Sequence, residues 1–277
     1  MLAFSIFVSG SFTFGSLIAN EISPELLTFY RFLIATIILG VILYFNKSIY
    51  AHHLKNIWRY FVLGAIYSIY FVFMFVALKY TTTVSTAAIF TLLPLFAALL
   101  ERLFLKKSSP VLIWAALILS GMGALWIIFE GSINGLFQFR FEEGEAIFLV
   151  GTICYASYAI IQPKLFEGEN IYVTTLGVLA AGSIILAISL ILQQSSFLID
   201  KITFEVFWVI FYLAIFASIG SITCLNYASP RLSAPVVSAY TLLVPFWVIL
   251  NDFVFFKIAP NMSLSLIHIS EPTRPPE

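Results

Sequence analysis

The chain is organised as a succession of long apolar stretches separated by short polar breaks. A helix of about 20 predominantly apolar residues crosses a bilayer core of about 30 Å, and each stretch is close to that length. Nine stretches are predicted to span a membrane: residues 2–19, 26–45, 61–78, 84–105, 110–129, 145–163, 171–192, 206–227 and 234–256. The predicted fold class is therefore all-α, as a polytopic membrane protein.

The composition agrees with a protein embedded in lipid. Of the 277 residues, 61% are hydrophobic and 10% are charged, whereas soluble domains are about 45–50% apolar and about 25% charged. The net charge is zero, so no basic surface indicates a nucleic-acid partner. Cys154 and Cys224 lie inside apolar stretches, and His52 and His53 lie in a basic loop. We therefore predict no disulfide, metal site or cofactor.

Basic residues in the loops predict the orientation, because lysine and arginine in short loops favour the cytoplasmic side. Eight lie in or beside the loops that follow even-numbered spans: Lys47, Lys55, Arg59, Arg102, Lys106, Lys107, Lys164 and Arg231. Four lie at the opposite side: Lys79, Arg140, Lys201 and Lys257. This bias predicts a multi-pass protein of the cytoplasmic (inner) membrane with its N-terminus in the cytoplasm.

The sequence contains an internal repeat at a shift of 151 residues. The matched pairs are Ala77 with Ala228, Ala88 with Ala239, Leu92 with Leu243, Pro94 with Pro245, Glu101 with Asp252 and Lys106 with Lys257. A repeat with an odd number of spans enters the membrane with the opposite orientation the second time. The repeat therefore predicts two halves of inverted topology with a solute site between them.

Three stretches resemble the ten-helix transporters of the drug/metabolite transporter superfamily that are built from two EamA-type domains. They are ISPELLTFYRFLIATIIL from Ile22, TTTVSTAAIFTLLPLFAALLERLFLKKSSPVLIWAALILSGMGALWI from Thr81, and SAPVVSAYTLLVPFWVILNDFVFFKIAP from Ser233. The similarity covers Gly10 to about Pro260. It implies two inverted five-helix repeats and transport of a small organic metabolite or drug. Where the family usually carries a glycine-glutamate pair, this chain has Lys106 and Lys107, so Glu101 is not equated with the acid of that pair.

The predicted domains follow from the repeat and the resemblance. Residues 1–129 form a first EamA-like repeat of five spans, residues 130–144 a loop, and residues 145–263 a second repeat of four spans. The segment LSLIHISEPTR reads as the translated adapter of a transposase-based sequencing library. We expect residues 264–277 to be such an artefact, standing where the tenth helix is due.

Two acids and two prolines occupy equivalent places in the repeats. Glu101 follows Pro94 by seven residues, and Asp252 follows Pro245 likewise. A charge inside a span costs roughly 2.5–3.5 kcal/mol on insertion scales. The acids are candidates for proton exchange or cation binding, with snorkelling or pairing at the interface as the structural alternative. The prolines are candidate helix breaks that create a hinge or a free carbonyl, because proline removes a backbone hydrogen bond.

Four further residues are candidates for solute binding. Arg31 lies inside the second span, where it either attracts an anionic solute or pairs with Glu21 or Glu25. Large uncharged polar side chains are unfavourable against lipid, which marks three more candidates for an internal cavity. These are Tyr158, Gln162 and Asn226.

The predicted function is secondary transport: export of a small organic metabolite or drug by alternating access between the two repeats. The sequence lacks the nucleotide-binding pattern GxxxxGK[ST], so coupling to protons through Glu101 or Asp252 is our hypothesis for the driving force. The expected partners are the solute and the lipid bilayer. The alternative is a membrane-embedded sensor or enzyme, but no histidine lies in a span and no stretch has the composition of a soluble output domain.

Overall fold

The computed structural model describes residues 1–47, 56–106, 111–128, 143–197 and 203–257. Within these ranges the chain forms nine helices and no strands. They are α1 (Leu2–Ile18), α2 (Pro24–Phe45), α3 (Trp58–Ala77), α4 (Thr83–Leu105), α5 (Val111–Ile128), α6 (Glu143–Leu165), α7 (Ile171–Leu192), α8 (Phe204–Ala228) and α9 (Ala234–Phe256). The all-α prediction is confirmed, and the predicted spans coincide with the helices to within a few residues.

Seven of these helices are long and apolar enough to cross a membrane, namely α2, α3, α4, α6, α7, α8 and α9. The first helix, α1, is apolar but shorter, at 17 residues. The chain is a multi-pass membrane protein. The predicted linker, except its last two residues, and the predicted artefact at 264–277 lie outside the described residues, so the predicted domain boundaries stay predictions.

Three helices are irregular near their middle. In α4 a turn at Thr91 and Leu92 separates Thr83–Phe90 from Leu93–Leu105, and Pro94 lies in the first turn of the second segment. In α9 a 3₁₀ segment, Ala239–Leu243, precedes Val244–Phe256, and Pro245 lies in the first turn of that segment. The π-helical segment Leu213–Gly220 lies within α8. Both candidate prolines thus sit just after a change in helix geometry, where their missing N–H groups cost least.

The two halves of the chain are packed into each other. Helix α3 of the first half lies mainly against α6 and α7 of the second. Glycines allow this approach: a Cβ on Gly64 of α3 would lie 2.7 Å from the backbone nitrogen of Gly182 on α7. One on Gly144 of α6 would lie 2.9 Å from the carbonyl oxygen of Ala77. Small residues at helix crossings let backbones touch in a membrane, where lipid supplies no hydrophobic force between helices.

Candidate functional site

Arg31 lies at the centre of the interface between the halves. Its side chain is 0% exposed, and its guanidinium carbon is 3.8 Å from the centre of the Phe71 ring on α3. Its Nε donates a 2.9 Å hydrogen bond to Oγ of Ser218, in the π-helical segment of α8. Among the described residues, Nη1 and Nη2 have no hydrogen-bond partner.

Arg31 does not form the ion pair with a glutamate that was one of its two predicted roles. Within the described ranges, no ion pair joins Arg31 to Glu21 or Glu25, and Glu21 is exposed. The reason is the direction of the side chain. It packs among aromatic rings between α2, α3 and α8, where a cation over a ring face is attracted electrostatically.

Four buried tyrosines, which we call the tyrosine cluster, pack together near this arginine, and three of them, Tyr67, Tyr70 and Tyr155, interact with it electrostatically. The four tyrosines are Tyr67 and Tyr70 of α3 and Tyr155 and Tyr158 of α6. The ring centres of Tyr70 and Tyr155 are 4.4 Å apart, and those of Tyr67 and Tyr158 are 5.4 Å apart. The rings therefore close the centre of the bundle in this structure, with contributions from both halves of the chain.

Tyr158 and Asn226, both candidates from the sequence, form a pair. The Tyr158 hydroxyl donates a 2.8 Å hydrogen bond to Oδ1 of Asn226, and Nδ2 of Asn226 donates a 3.2 Å bond to Oγ1 of Thr175. Gln162 lies one helical turn beyond Tyr158 and is also buried. Neither amide atom of Gln162 has a hydrogen-bond partner in the described part of the chain. Helices α6, α7 and α8 thus present uncharged polar groups beside the tyrosine cluster.

Glu101 is placed near the end of α4 and beside the beginning of α9. Its side chain is 7% exposed, and its Oε1 accepts a 3.2 Å hydrogen bond from the backbone N–H of Ala234. The first N–H groups of a helix lack partners inside that helix. Here the neighbouring Ser233 supplies no side-chain cap, so Glu101 satisfies an N–H at the start of α9.

Asp252 is placed near the end of α9 and beside the beginning of α4. It is 9% exposed, and its Oδ2 accepts a 2.9 Å hydrogen bond from Oγ1 of Thr83. Helices α4 and α9 are therefore antiparallel, and each carries a carboxylate that bonds the first residue of the other. We call these contacts the Glu101 latch and the Asp252 latch, and we name the two ends of the bundle after them.

A pocket of about 650 Å³ lies at the Glu101 end. The lining comes from the end of α4, the end of α6 and the segment that joins α8 to α9. Its charged members are Glu101, Lys164 and Arg231. This size is within the range of small-molecule pockets, so a solute-sized space reaches one latch.

The sequence analysis missed two further polar contacts between the halves. Nη1 of Arg59, at the start of α3, lies 3.1 Å from Oε1 of Glu169, between α6 and α7. At the other end of the bundle, Oγ of Ser85 on α4 bonds Oε1 of Glu145 on α6. Arg59 and Glu145 lie near the ends of apolar stretches. A charged residue there is interpreted as part of the adjoining loop. No sequence signal indicates the partner of either one.

The helices, the polar groups between the halves and the pocket define a polytopic membrane protein with a solute-sized space at one end. The sequence profile of the EamA-like transporter family matches residues 1–129 and 143–267. The chain belongs to the EamA-like transporter family, which confirms the resemblance read from the sequence.

Known relatives agree with this assignment. The uncharacterized transporter YyaM of Bacillus subtilis is 28% identical over 88% of this chain and 81% of its own length. An uncharacterized transporter of Archaeoglobus fulgidus is 25% identical over 94% of this chain and 90% of its own length. A crystal structure at 16% identity superposes with a TM-score of 0.72 over 95% of this chain and 90% of the other, which shows the same fold.

Proposed function

We propose that the protein is a secondary transporter that exports a small organic solute across the cytoplasmic membrane by alternating access. The observation that supports this proposal most directly is the reciprocal arrangement of the two latches. Each latch joins the first half of the chain to the second, and the two lie at opposite ends of α4, a helix of 23 residues. The α4 residues of the two latches, Thr83 and Glu101, are 18 residues apart. At 1.5 Å per residue this separation is about 27 Å, close to the thickness of a bilayer core, so one latch can lie near each face.

Alternating access requires that the two ends open in turn. The latches supply a means, because breaking one leaves the other able to hold the halves together. The tyrosine cluster and Arg31 lie between them and would form the occluded centre. With the N-terminus in the cytoplasm, the Glu101 end and its pocket face the cytoplasm and the Asp252 end faces outward.

Thiol accessibility tests this mechanism. The free cysteines Cys154 and Cys224 are first replaced by alanine, and a single reporter cysteine is introduced at each end. Ser229→Cys reports on the Glu101 end and Thr86→Cys on the Asp252 end. The two positions are matched, since both are buried and each hydroxyl bonds the carbonyl four residues earlier.

The expected result is opposite changes at the two reporters. Glu101→Ala raises the rate at which a membrane-impermeant maleimide labels Ser229→Cys and lowers the rate at Thr86→Cys, and Asp252→Ala does the converse. Labelling of Ser229→Cys in everted vesicles, where the reagent meets the cytoplasmic face, but not in intact cells supports the orientation. Alternating access is wrong if both latch variants raise labelling at the same reporter, or if neither changes it.

A further inference from the structure

From Arg31 and its surroundings we infer that the central site takes an organic monocarboxylate anion with an apolar body. The inference rests on the proposed function and specifies its solute. Arg31 offers two buried terminal nitrogens, Nη1 and Nη2, that have no partner in the described part of the chain. These nitrogens form a planar fork that matches the two oxygens of a carboxylate.

The charge at this place needs a compensating group. A buried guanidinium in the middle of a membrane bundle is unfavourable unless it is paired. The ionisable neighbours of Arg31 in the described chain are Tyr67, Tyr70, Tyr155 and Tyr212, with no carboxylate among them. The rings offset part of the cost, but they do not neutralise the charge. An anionic solute bound to the guanidinium would neutralise it.

The surroundings also restrict what else the solute carries. The tyrosine cluster and Phe71 present aromatic faces, which suit an apolar ring. A zwitterion would place its ammonium group beside the positive charge of Arg31. The carboxylates Glu101 and Asp252 do not offset this repulsion, because they form their hydrogen bonds at the ends of the bundle. A single guanidinium balances one negative charge, so a monocarboxylate fits better than a phosphate dianion.

Arg31 also has a structural contact that the test must separate from binding. Its Nε bond to Ser218 connects α2 to the π-helical segment of α8. Ser218→Ala removes this contact and leaves the two terminal nitrogens in place. It is therefore the matched control for Arg31→Gln, which removes both the contact and the charge.

The test is equilibrium binding of radiolabelled phenylacetate to the purified full chain in detergent. Phenylacetamide, phenylalanine and phenyl phosphate are the competitors, because each keeps the ring and changes the charged group. We expect saturable phenylacetate binding and competition at least about tenfold weaker from all three, since hydrogen bonds to charged groups contribute about that factor or more. Arg31→Gln should weaken phenylacetate binding at least about tenfold, and Ser218→Ala by less than about threefold.

Several results would overturn the inference. These are an absence of phenylacetate binding by the folded parent, equal competition by phenylacetamide, stronger binding of phenylalanine or phenyl phosphate, or an equal loss in Arg31→Gln and Ser218→Ala. The comparison of competitors uses only the parent protein, so it holds even if Arg31→Gln does not fold. If the binding test fails but the two latch variants change their reporters in opposite directions, the solute class is rejected and alternating access is retained. If the binding test succeeds but the reporters do not change in opposite directions, alternating access alone is rejected.

Discussion

Glu101 and Asp252 are equivalent residues of the two repeats, and each bonds the residue that begins the other's helix. Their partners are also equivalent, because Ala234 follows Thr83 by the same 151 residues that separate the two acids. A pseudo-twofold relation between α4 and α9 is thereby expressed in individual hydrogen bonds. The free energies of the two latches are opposed in an alternating-access cycle, since each favours closure of its own end.

This opposition predicts the behaviour of a double variant. Glu101→Ala alone and Asp252→Ala alone should each change the ratio of labelling at Ser229→Cys and Thr86→Cys, in opposite directions. Loss of one hydrogen bond to a charged group is worth about 1.5–3 kcal/mol, or about 10-fold to 150-fold in the ratio. The double variant should return the ratio to within about threefold of the parent. A ratio that instead follows one single variant would show that only that latch acts on the equilibrium.

Coupling of transport to protons through the latches is a hypothesis that mutation can test. Glutamine and asparagine keep the shape of the acids but cannot exchange a proton. If Glu101 or Asp252 exchanges a proton during the cycle, an imposed pH gradient should change the part of phenylacetate export that depends on Arg31, and Glu101→Gln or Asp252→Asn should remove that response. An export rate that does not respond to the gradient in the parent or in either variant would reject proton coupling through these residues.

The outward direction of transport has its own prediction. Phenylacetic acid crosses membranes as the neutral acid and dissociates inside the cell, so an exporter of the anion lowers the amount retained. Cells that produce the parent should retain less labelled phenylacetate than cells that produce equal amounts of Arg31→Gln. Ser218→Ala should behave as the parent does. Equal or greater retention in cells with the parent would contradict export of this anion.

The sequence predicted the spans well because hydrophobic length is a local property. Stretches such as 171–192 are bounded by polar turns, and the helix there has those same limits. Glu101 and Asp252 were also accessible, since the repeat aligns them. Their hydrogen-bond partners were not, because these depend on the antiparallel packing of α4 and α9. For Arg31 an anionic solute or a glutamate was expected from charge alone. The structure instead places Ser218 at hydrogen-bond distance and the Phe71 ring, 40 residues away, against the guanidinium.

Gly64 is predicted to be essential for packing between the halves. A Cβ at this position would lie 2.7 Å from the nitrogen of Gly182 and 2.9 Å from the carbonyl oxygen of Val178. Both are backbone atoms, so relief requires α3 and α7 to move apart. Gly64→Ala should destabilise the protein by about 1–3 kcal/mol, as overpacking does, and lower the thermal midpoint in detergent. Gly123→Ala is the control, because among the described residues no atom outside its own helix backbone lies within 4 Å of its Cβ position. A midpoint for Gly64→Ala equal to that of Gly123→Ala would contradict the close crossing.

Lysines in a left-handed conformation end both α4 and α9. Lys106 has φ 53° and Lys257 has φ 56°, and the two positions are equivalent in the repeats. This conformation is unfavourable for residues with a Cβ and natural for glycine. Lys106→Gly should therefore raise the stability by up to about 1 kcal/mol, measured as a higher thermal midpoint. Lys257→Gly should do the same, with additive effects because the sites lie at opposite ends of the bundle. Lys106→Ala retains the strained backbone and serves as the control, and a glycine variant that melts no higher than this alanine variant would contradict the prediction.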